Sequence, residues 1–218
     1  MRSDAAVMAI GLDSGIIEVM DTKEKFHLRT FKNHRKRVNA IEYLDNDLYS
    51  GGDDFVLRHF DVAAGEVIHS YANAHDDYIK SIKILENNHI LSAGYDCFIK
   101  LFDFRVHEKA QLEFNHQEQL EAIDVFPSGL TFAAVGGNKM SLWDVRTGKE
   151  LFQARNNKKI VSGVKVVSHG SRFMTSSYDN YLKVYQADTF ELTFMEKMPA
   201  PIQCFDVTAN NLHIFLGL

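Results

Sequence analysis

Histidine, serine or threonine, and aspartate recur together at fixed spacings in this chain, and that residue set is able to do hydrolytic chemistry. His34, His75 and His116 each precede an isoleucine (Ile41, Ile82 and Ile123) by seven positions. Asp54, Asp96 and Asp179 stand seven positions before the residue that closes a repeated segment, and Ser50, Ser92 and Thr175 stand eleven before it. A hydroxyl nucleophile, an imidazole base and a carboxylate that orients it are the parts of a catalytic triad. A catalytic centre needs those parts once, whereas here they return from repeat to repeat. The spacing therefore predicts a buried hydrogen-bond network that pins loops to sheets, a device worth keeping only when every member is satisfied.

Other chemistries find fewer residues. Ten histidines are present, but three belong to the repeat, and no Cys-x2-Cys or His-x3-His pair offers metal-ligand spacing. Gly51-Gly52 and Gly136-Gly137 recur at hairpin positions and form no phosphate-binding loop. Cys97 falls in a hairpin and Cys204 in an apolar strand, and both are expected as buried small hydrophobes. The expectation is a non-catalytic protein with no metal, no cofactor and no small-molecule substrate.

The elements that must position these residues show in the repeat itself. Five segments end alike: GIIEVMD at Asp21, FVLRHFD at Asp61, FIKLFD at Asp103, KMSLWD at Asp144 and YLKVYQ at Gln186, at intervals of 40, 42, 41 and 42 residues. Within each interval, short apolar or alternating stretches such as Ile79–Leu85, Ile90–Ala93 and Phe98–Asp103 read as strands. Between them lie turn residues: Asn87-Asn88, Gly94 with Asp96, Ser128-Gly129, Gly136-Gly137 and Thr147-Gly148. A period of this length closing on Trp-Asp or a relative marks a four-stranded blade of a WD-repeat β-propeller. The fold class is all-β, with no helix required.

Some blades depart from the pattern. The unit ending at Trp143-Asp144 keeps His116 but carries Gly137-Asn138 where the aspartate belongs, and the next keeps Asp179 but has Asn157 at the histidine position. Phe60, Phe102 and Tyr185 replace the closing tryptophan and remove its indole N–H donor, so those blades should lean more on strand pairing and apolar packing. At about 41 residues per blade the chain supplies about five and a third blades of a seven-bladed ring of about 287 residues. It opens in mid-blade with strands at Ala6–Ile10 and Ile16–Asp21 and stops in mid-blade after Asn211–Leu218. The expectation for residues 1–218 is a partial propeller with an open ring, a fragment of a longer chain, because exposed strand edges invite aggregation.

Composition narrows the function classes. The net charge of -5 argues against a chain basic all over, although local basic patches remain compatible with it. Hydrophobic residues at 45% with only three prolines exclude a disordered chain. Two cysteines are too few for a disulfide scaffold and point to a reducing compartment. No apolar run approaches the roughly 18–20 residues of a membrane span, and Met1–Ala6 lacks the order of a signal peptide. An intracellular protein is expected.

The run Leu120–Leu151 (LEAIDVFPSGLTFAAVGGNKMSLWDVRTGKEL) resembles the fifth blade of the U3 small nucleolar RNA-associated protein 15 family. The turn Val125-Phe126-Pro127-Ser128-Gly129 and the hairpin Ala134-Val135-Gly136-Gly137 carry the likeness, with flanking similarity in Ser92–Arg105 and Ser176–Leu192 and in the unusual Tyr185 ending. The likeness runs from about Ala6 to Leu218. It implies a WD-repeat scaffold of the small-subunit processome in the nucleus, specifically the nucleolus. That scaffold would act in ribosome biogenesis, pre-rRNA processing, small-subunit rRNA maturation and rDNA transcription. The partners implied are other processome proteins and a particle containing pre-rRNA or U3 small nucleolar RNA, with no membrane. The family's helical C-terminal domain has no counterpart in these residues.

Two features suggest contacts. Arg35, Lys36 and Arg37 cluster in one loop, and the equivalent loop three blades on holds Arg155, Lys158 and Lys159. Equivalent propeller loops share a face, so the six side chains are expected as a basic rim for phosphates or partner proteins. The alternative is an adaptor role. Phe102-Asp103-Phe104-Arg105 and Trp143-Asp144-Val145-Arg146 resemble the box by which WD-repeat substrate receptors dock a cullin-type ubiquitin ligase, which requires Arg105 and Arg146 to face outward. Asp103, if it faces solvent at its strand end, should matter less to stability than Asp96.

Overall fold

The computed structural model describes residues 7–85, 89–106, 109–208 and 210–218. Two compact units divide the chain, Met1–Glu113 and Phe114–Leu218. The first sheet has three antiparallel strands, β1 (Val7–Gly11), β2 (Ile17–Asp21) and β3 (His27–Phe31). Four sheets of four strands follow. The second sheet is β4 (Val38–Leu44), β5 (Asp47–Gly52), β6 (Leu57–Asp61) and β7 (Glu66–Tyr71). The third is β8 (Ile79–Leu85), β9 (His89–Gly94), β10 (Phe98–Asp103) and β11 (Leu112–Asn115). The fourth is β12 (Leu120–Val125), β13 (Thr131–Gly136), β14 (Lys139–Asp144) and β15 (Glu150–Ala154). The fifth is β16 (Val161–Val167), β17 (Arg172–Ser177), β18 (Tyr181–Gln186) and β19 (Leu192–Lys197), and the last pair is β20 (Cys204–Val207) with β21 (Ile214–Gly217). Apart from one 3₁₀ turn at Ser168–Gly170, the described regular structure is all strand. This is the WD-repeat propeller architecture, each four-stranded sheet being one blade.

Strand limits follow the sequence pattern closely. Ile79–Leu85 and Phe98–Asp103 are strands from end to end, and Ile90–Ala93 extends by one residue on each side. The expected strand at Ala6 starts at Val7, Ala6 itself lying outside the described residues, as does the Asn87-Asn88 turn. The middle strands are buried on both faces: β5, β9 and β13 each hide every residue after their first. Such strands read as runs of apolar and small residues, because both of their faces are hidden from water. Outer strands are wet, and β19 is exposed along its whole length.

In the first unit, Ile17, Val19, Phe31, Leu48 and Phe60 form one core cluster, and Tyr49, Leu57, Ile79, Ile82 and Phe102 form a second. In the second unit, Val135, Met140, Val161, Phe173 and Tyr185 form one, and Val167, Met174, Leu182 and Ile202 another. Each such side chain contributes roughly 1.5–3 kcal/mol by burial.

One repeating device has no signal in the pattern of apolar residues. The first strand of every four-stranded sheet is bulged near its start, at Val38/Ala40, Ile79/Ser81, Leu120/Ala122 and Val161/Gly163. The bulge brings backbone so close to the partner strand that a Cβ on Gly52 would sit 2.0 Å from the Arg37 carbonyl oxygen, and one on Gly136 2.0 Å from that of Gln119. Gly52→Ala should therefore force a backbone shift and cost about 1–3 kcal/mol, read as a lowered urea midpoint. An unchanged midpoint would mean that the bulge yields freely.

Candidate functional site

At the loop ends of the second and third sheets the expected residues meet. His34 Nε2 lies 2.6 Å from Ser50 Oγ, and its Nδ1 lies 2.9 Å from Asp54 Oδ1. His75 stands 2.7 Å from Ser92 Oγ and 2.9 Å from the Asp96 carboxylate. Both serine hydroxyls belong to residues with no exposed surface, so this triad-like geometry holds loops and offers no attacking group to a substrate. Burial alone would raise the pKa of Asp54 and Asp96, but hydrogen bonds from the histidines and from backbone N–H groups outweigh it and keep both carboxyls below the ordinary carboxylate range.

The network also sets the next loop. Asp54 accepts the Arg35 N–H at 3.1 Å, Asp96 the Asp76 N–H at 3.1 Å, and Asp179 the Lys158 N–H at 3.0 Å. Each carboxylate thus fixes the first residue after the histidine position and with it the start of an exposed loop.

The two departing blades solve the problem differently. With Ala133 and Gly137 at the serine and aspartate positions, His116 turns to Ser141 at 2.9 Å, and Trp143 donates its indole N–H to the same hydroxyl at 2.7 Å. Lys139, fully buried, donates to the His116 carbonyl at 3.2 Å and pairs with Glu150 at 2.7 Å. Burial, then the Lys139 charge, pushes His116 down to about 3. Lys139→Met should raise the His116 pKa while leaving it below the ordinary value near 6.5, because burial persists. An NMR titration that finds no change would remove Lys139 from the cause.

In the fifth sheet Thr175 and Asp179 are not joined through a histidine. Asn157 accepts from Lys183 Nζ at 2.7 Å, Lys183 also reaches the Asn156 carbonyl at 2.9 Å, and the Tyr185 hydroxyl lies 3.2 Å from the Asn156 side chain. Spacing does not single out Ser141, Lys139 and Lys183, because their partners come from register across strands.

The basic loops divide between the units. In the first, Arg37 pairs with Asp13 at 2.8 Å on the surface, and Lys36 Nζ stands 5.5 Å from the Phe55 ring centre, leaving Arg35 exposed at the loop apex. In the second, Arg155 pairs with Glu118 at 2.6 Å and reaches Asn138 at 2.9 Å, while Lys158 and Lys159 are exposed. The loops after the other two histidines carry Asp76-Asp77 and Glu118, so charge changes sign along the repeat. In the first unit Lys36 of the basic loop also stands over Phe55 and Tyr78, and Lys80 over Tyr95, aromatic side chains that spacing does not reveal. An aromatic residue beside the network aspartate (Phe55 after Asp54, Tyr95 before Asp96, Tyr178 before Asp179) is the available signal.

Two expectations are corrected. Asp103 does not face solvent: it is 5% exposed, and Arg105 closes on it through Nε at 3.0 Å and Nη2 at 2.7 Å. The Asp103 carboxylate is buried and held by Arg105, while the Arg105 and Arg146 side chains are themselves both exposed. Cys204 is exposed, not buried, because β20 has β21 alone as its sheet partner. Cys97 is half-buried. Among the described residues, no cluster of His, Cys, Asp and Glu is arranged to hold a metal ion.

Repeated four-stranded sheets, closing strand motifs and loop-pinning networks define a WD-repeat protein of the β-propeller class, and the family description "WD domain, G-beta repeat" matches residues 65–103. Along its whole length the chain is similar to U3 small nucleolar RNA-associated protein 15. It is 29% identical over 222 residues to the Xenopus tropicalis homolog, covering 100% of this chain and 43% of the relative. It is 25% identical over 237 residues to the Saccharomyces cerevisiae protein, covering 100% and 45%. Protein SLOW WALKER 1 of Arabidopsis thaliana is 32% identical over 226 residues, covering 99% and 42%. The resemblance carried by Leu120–Leu151 and its flanking blades is thus borne out, and the chain spans less than half the length of these curated relatives.

Proposed function

We propose that the chain is a non-catalytic scaffold of the small-subunit processome. It acts in ribosome biogenesis, in pre-rRNA processing and small-subunit rRNA maturation, and extends to rDNA transcription, in the nucleolus. One observation carries this reading: similarity over the whole chain to relatives named for association with U3 small nucleolar RNA. The fold supports it, because blades present loops while their own hydrogen-bonding groups are spent internally. The partners are other processome proteins and a particle containing pre-rRNA or U3 RNA, met through Arg35, Lys36 and Arg37 and through Arg155, Lys158 and Lys159. Arg105 and Arg146 are both exposed, but the Arg105 guanidinium is held on Asp103, and no further observation favours docking on a cullin-type ligase. Among the described residues no helix is long and apolar enough to cross a membrane.

Affinity purification of the tagged protein from cells, with sequencing of bound RNA, tests the reading. Enrichment of U3 RNA and pre-rRNA is expected. A cullin adaptor recovered without either RNA would overturn it.

A further inference from the structure

A strip of three aromatic rings runs across the loop ends of the second and third sheets. The Phe55 and Tyr78 ring centres are 5.8 Å apart, and those of Tyr78 and Tyr95 6.2 Å apart. Lys36 Nζ stands 5.5 Å from the Phe55 centre and 6.0 Å from that of Tyr78, and Lys80 Nζ 5.1 Å from that of Tyr95. Tyr78 is 37% exposed. Phe55 also occupies a backbone position ill-suited to it, with φ +67°. The same turn position in two other blades holds Cys97 at +70° and Asn180 at +76°. Asparagine tolerates this region, whereas a cysteine or a bulky ring does so poorly, so the turn carries backbone strain in the second and third sheets, the two whose loop ends bear the rings.

We propose that Phe55, Tyr78 and Tyr95 form a stacking platform for the unpaired bases of single-stranded RNA, with Arg35, Lys36 and Lys80 taking its phosphates. The choice of RNA rests on the proposed function; the platform rests on the rings. Stacking a base on an aromatic side chain is worth more than an exposed cation–π contact. An arriving base therefore displaces the lysine from its ring, and the ammonium is then placed for the backbone. Asp76 and Asp77 lie beside Tyr78, and the Asp77 carboxylate is occupied by the Tyr78 N–H at 2.8 Å. These acids oppose phosphate on their side, so the backbone follows the lysines, and ring contact supplies more of the affinity than net charge does. A duplex, whose bases are already stacked on one another, gains nothing from the rings.

Binding of a labelled short oligouridylate, followed by fluorescence anisotropy, tests this against an RNA duplex of equal length. Phe55→Asn and Tyr78→Leu should each weaken the single strand about tenfold, whereas Tyr78→Phe should bind like the parent. Phe55→Asn should unfold at no lower urea concentration than the parent, since asparagine suits the turn, so its weaker binding is not a loss of fold. Equal binding by parent, Phe55→Asn and Tyr78→Leu, no binding by the parent, or duplex bound as tightly as single strand, would each overturn the platform. Particle purification separates the two readings. Ring-independent oligouridylate binding with U3 RNA still recovered removes the platform alone, and ring-dependent binding without U3 RNA removes the processome role alone.

Discussion

Asp54→Ala is expected to lower the free energy of unfolding by about 3–5 kcal/mol, the loss typical of stranding a buried charge. Asp54 faces His34 at 2.9 Å and Arg58 at 2.8 Å, with the Arg58 side chain only 10% exposed, and it also accepts the Arg35 N–H. Removing the carboxylate leaves a guanidinium in the interior with no counter-charge. Asp96→Ala should cost less, about 1–3 kcal/mol, because its cation, Lys100, stands 3.9 Å away and also reaches Glu113 at 3.6 Å. Urea unfolding of both variants gives the ranking, and a smaller loss at Asp54 than at Asp96 would show that Arg58 is neutralised by other groups. The sign with pH follows from the lowered carboxyl values of Asp54 and Asp96. Their contribution is fully present above the unfolded carboxylate range and is lost as pH falls through the folded values. Acid sensitivity below about pH 4 should therefore flatten in Asp54→Ala.

Reversing Arg35, Lys36 and Arg37 to glutamate is expected to weaken RNA binding about tenfold or more at low salt and to flatten its salt dependence. Every phosphate of a single strand that no longer meets a cation lowers the log–log salt slope by about 0.7. Arg35 and Lys36 should account for most of the change. Arg37 is already paired with Asp13 on the surface, and its reversal sets two carboxylates together. Circular dichroism should be unchanged, because the three side chains are exposed. Binding equal to the parent at every salt concentration would make this loop ordinary solvated surface.

The blades are legible in the sequence because their information is local and repeated. Ile79–Leu85 and Phe98–Asp103 are bounded by turn residues, and the closing residues recur at nearly constant intervals. His34 with Asp54 and His75 with Asp96 are legible for the same reason. What stays hidden depends on register and on neighbours from other turns. Ser141 replaces a missing aspartate only because it lies opposite His116 once the sheet forms, and Lys139 and Lys183 find their partners across strands. Asp103 reads as a strand end open to water, yet Arg105 folds over it. Phe55, Tyr78 and Tyr95 come from three separate turns, so no window of sequence shows them as one strip.

The pinned loops of this WD-repeat chain are proposed to meet RNA of the U3-containing particle. Ultraviolet crosslinking in cells, followed by mass spectrometry of the nucleotide-bearing peptides and sequencing of the attached RNA, tests that contact most directly. Adducts are expected on peptides containing Lys36, Phe55 or Tyr78, joined to pre-rRNA or U3 RNA. Adducts confined to the outer strands, or peptides around these residues recovered free of nucleotide while U3 RNA co-purifies, would contradict it.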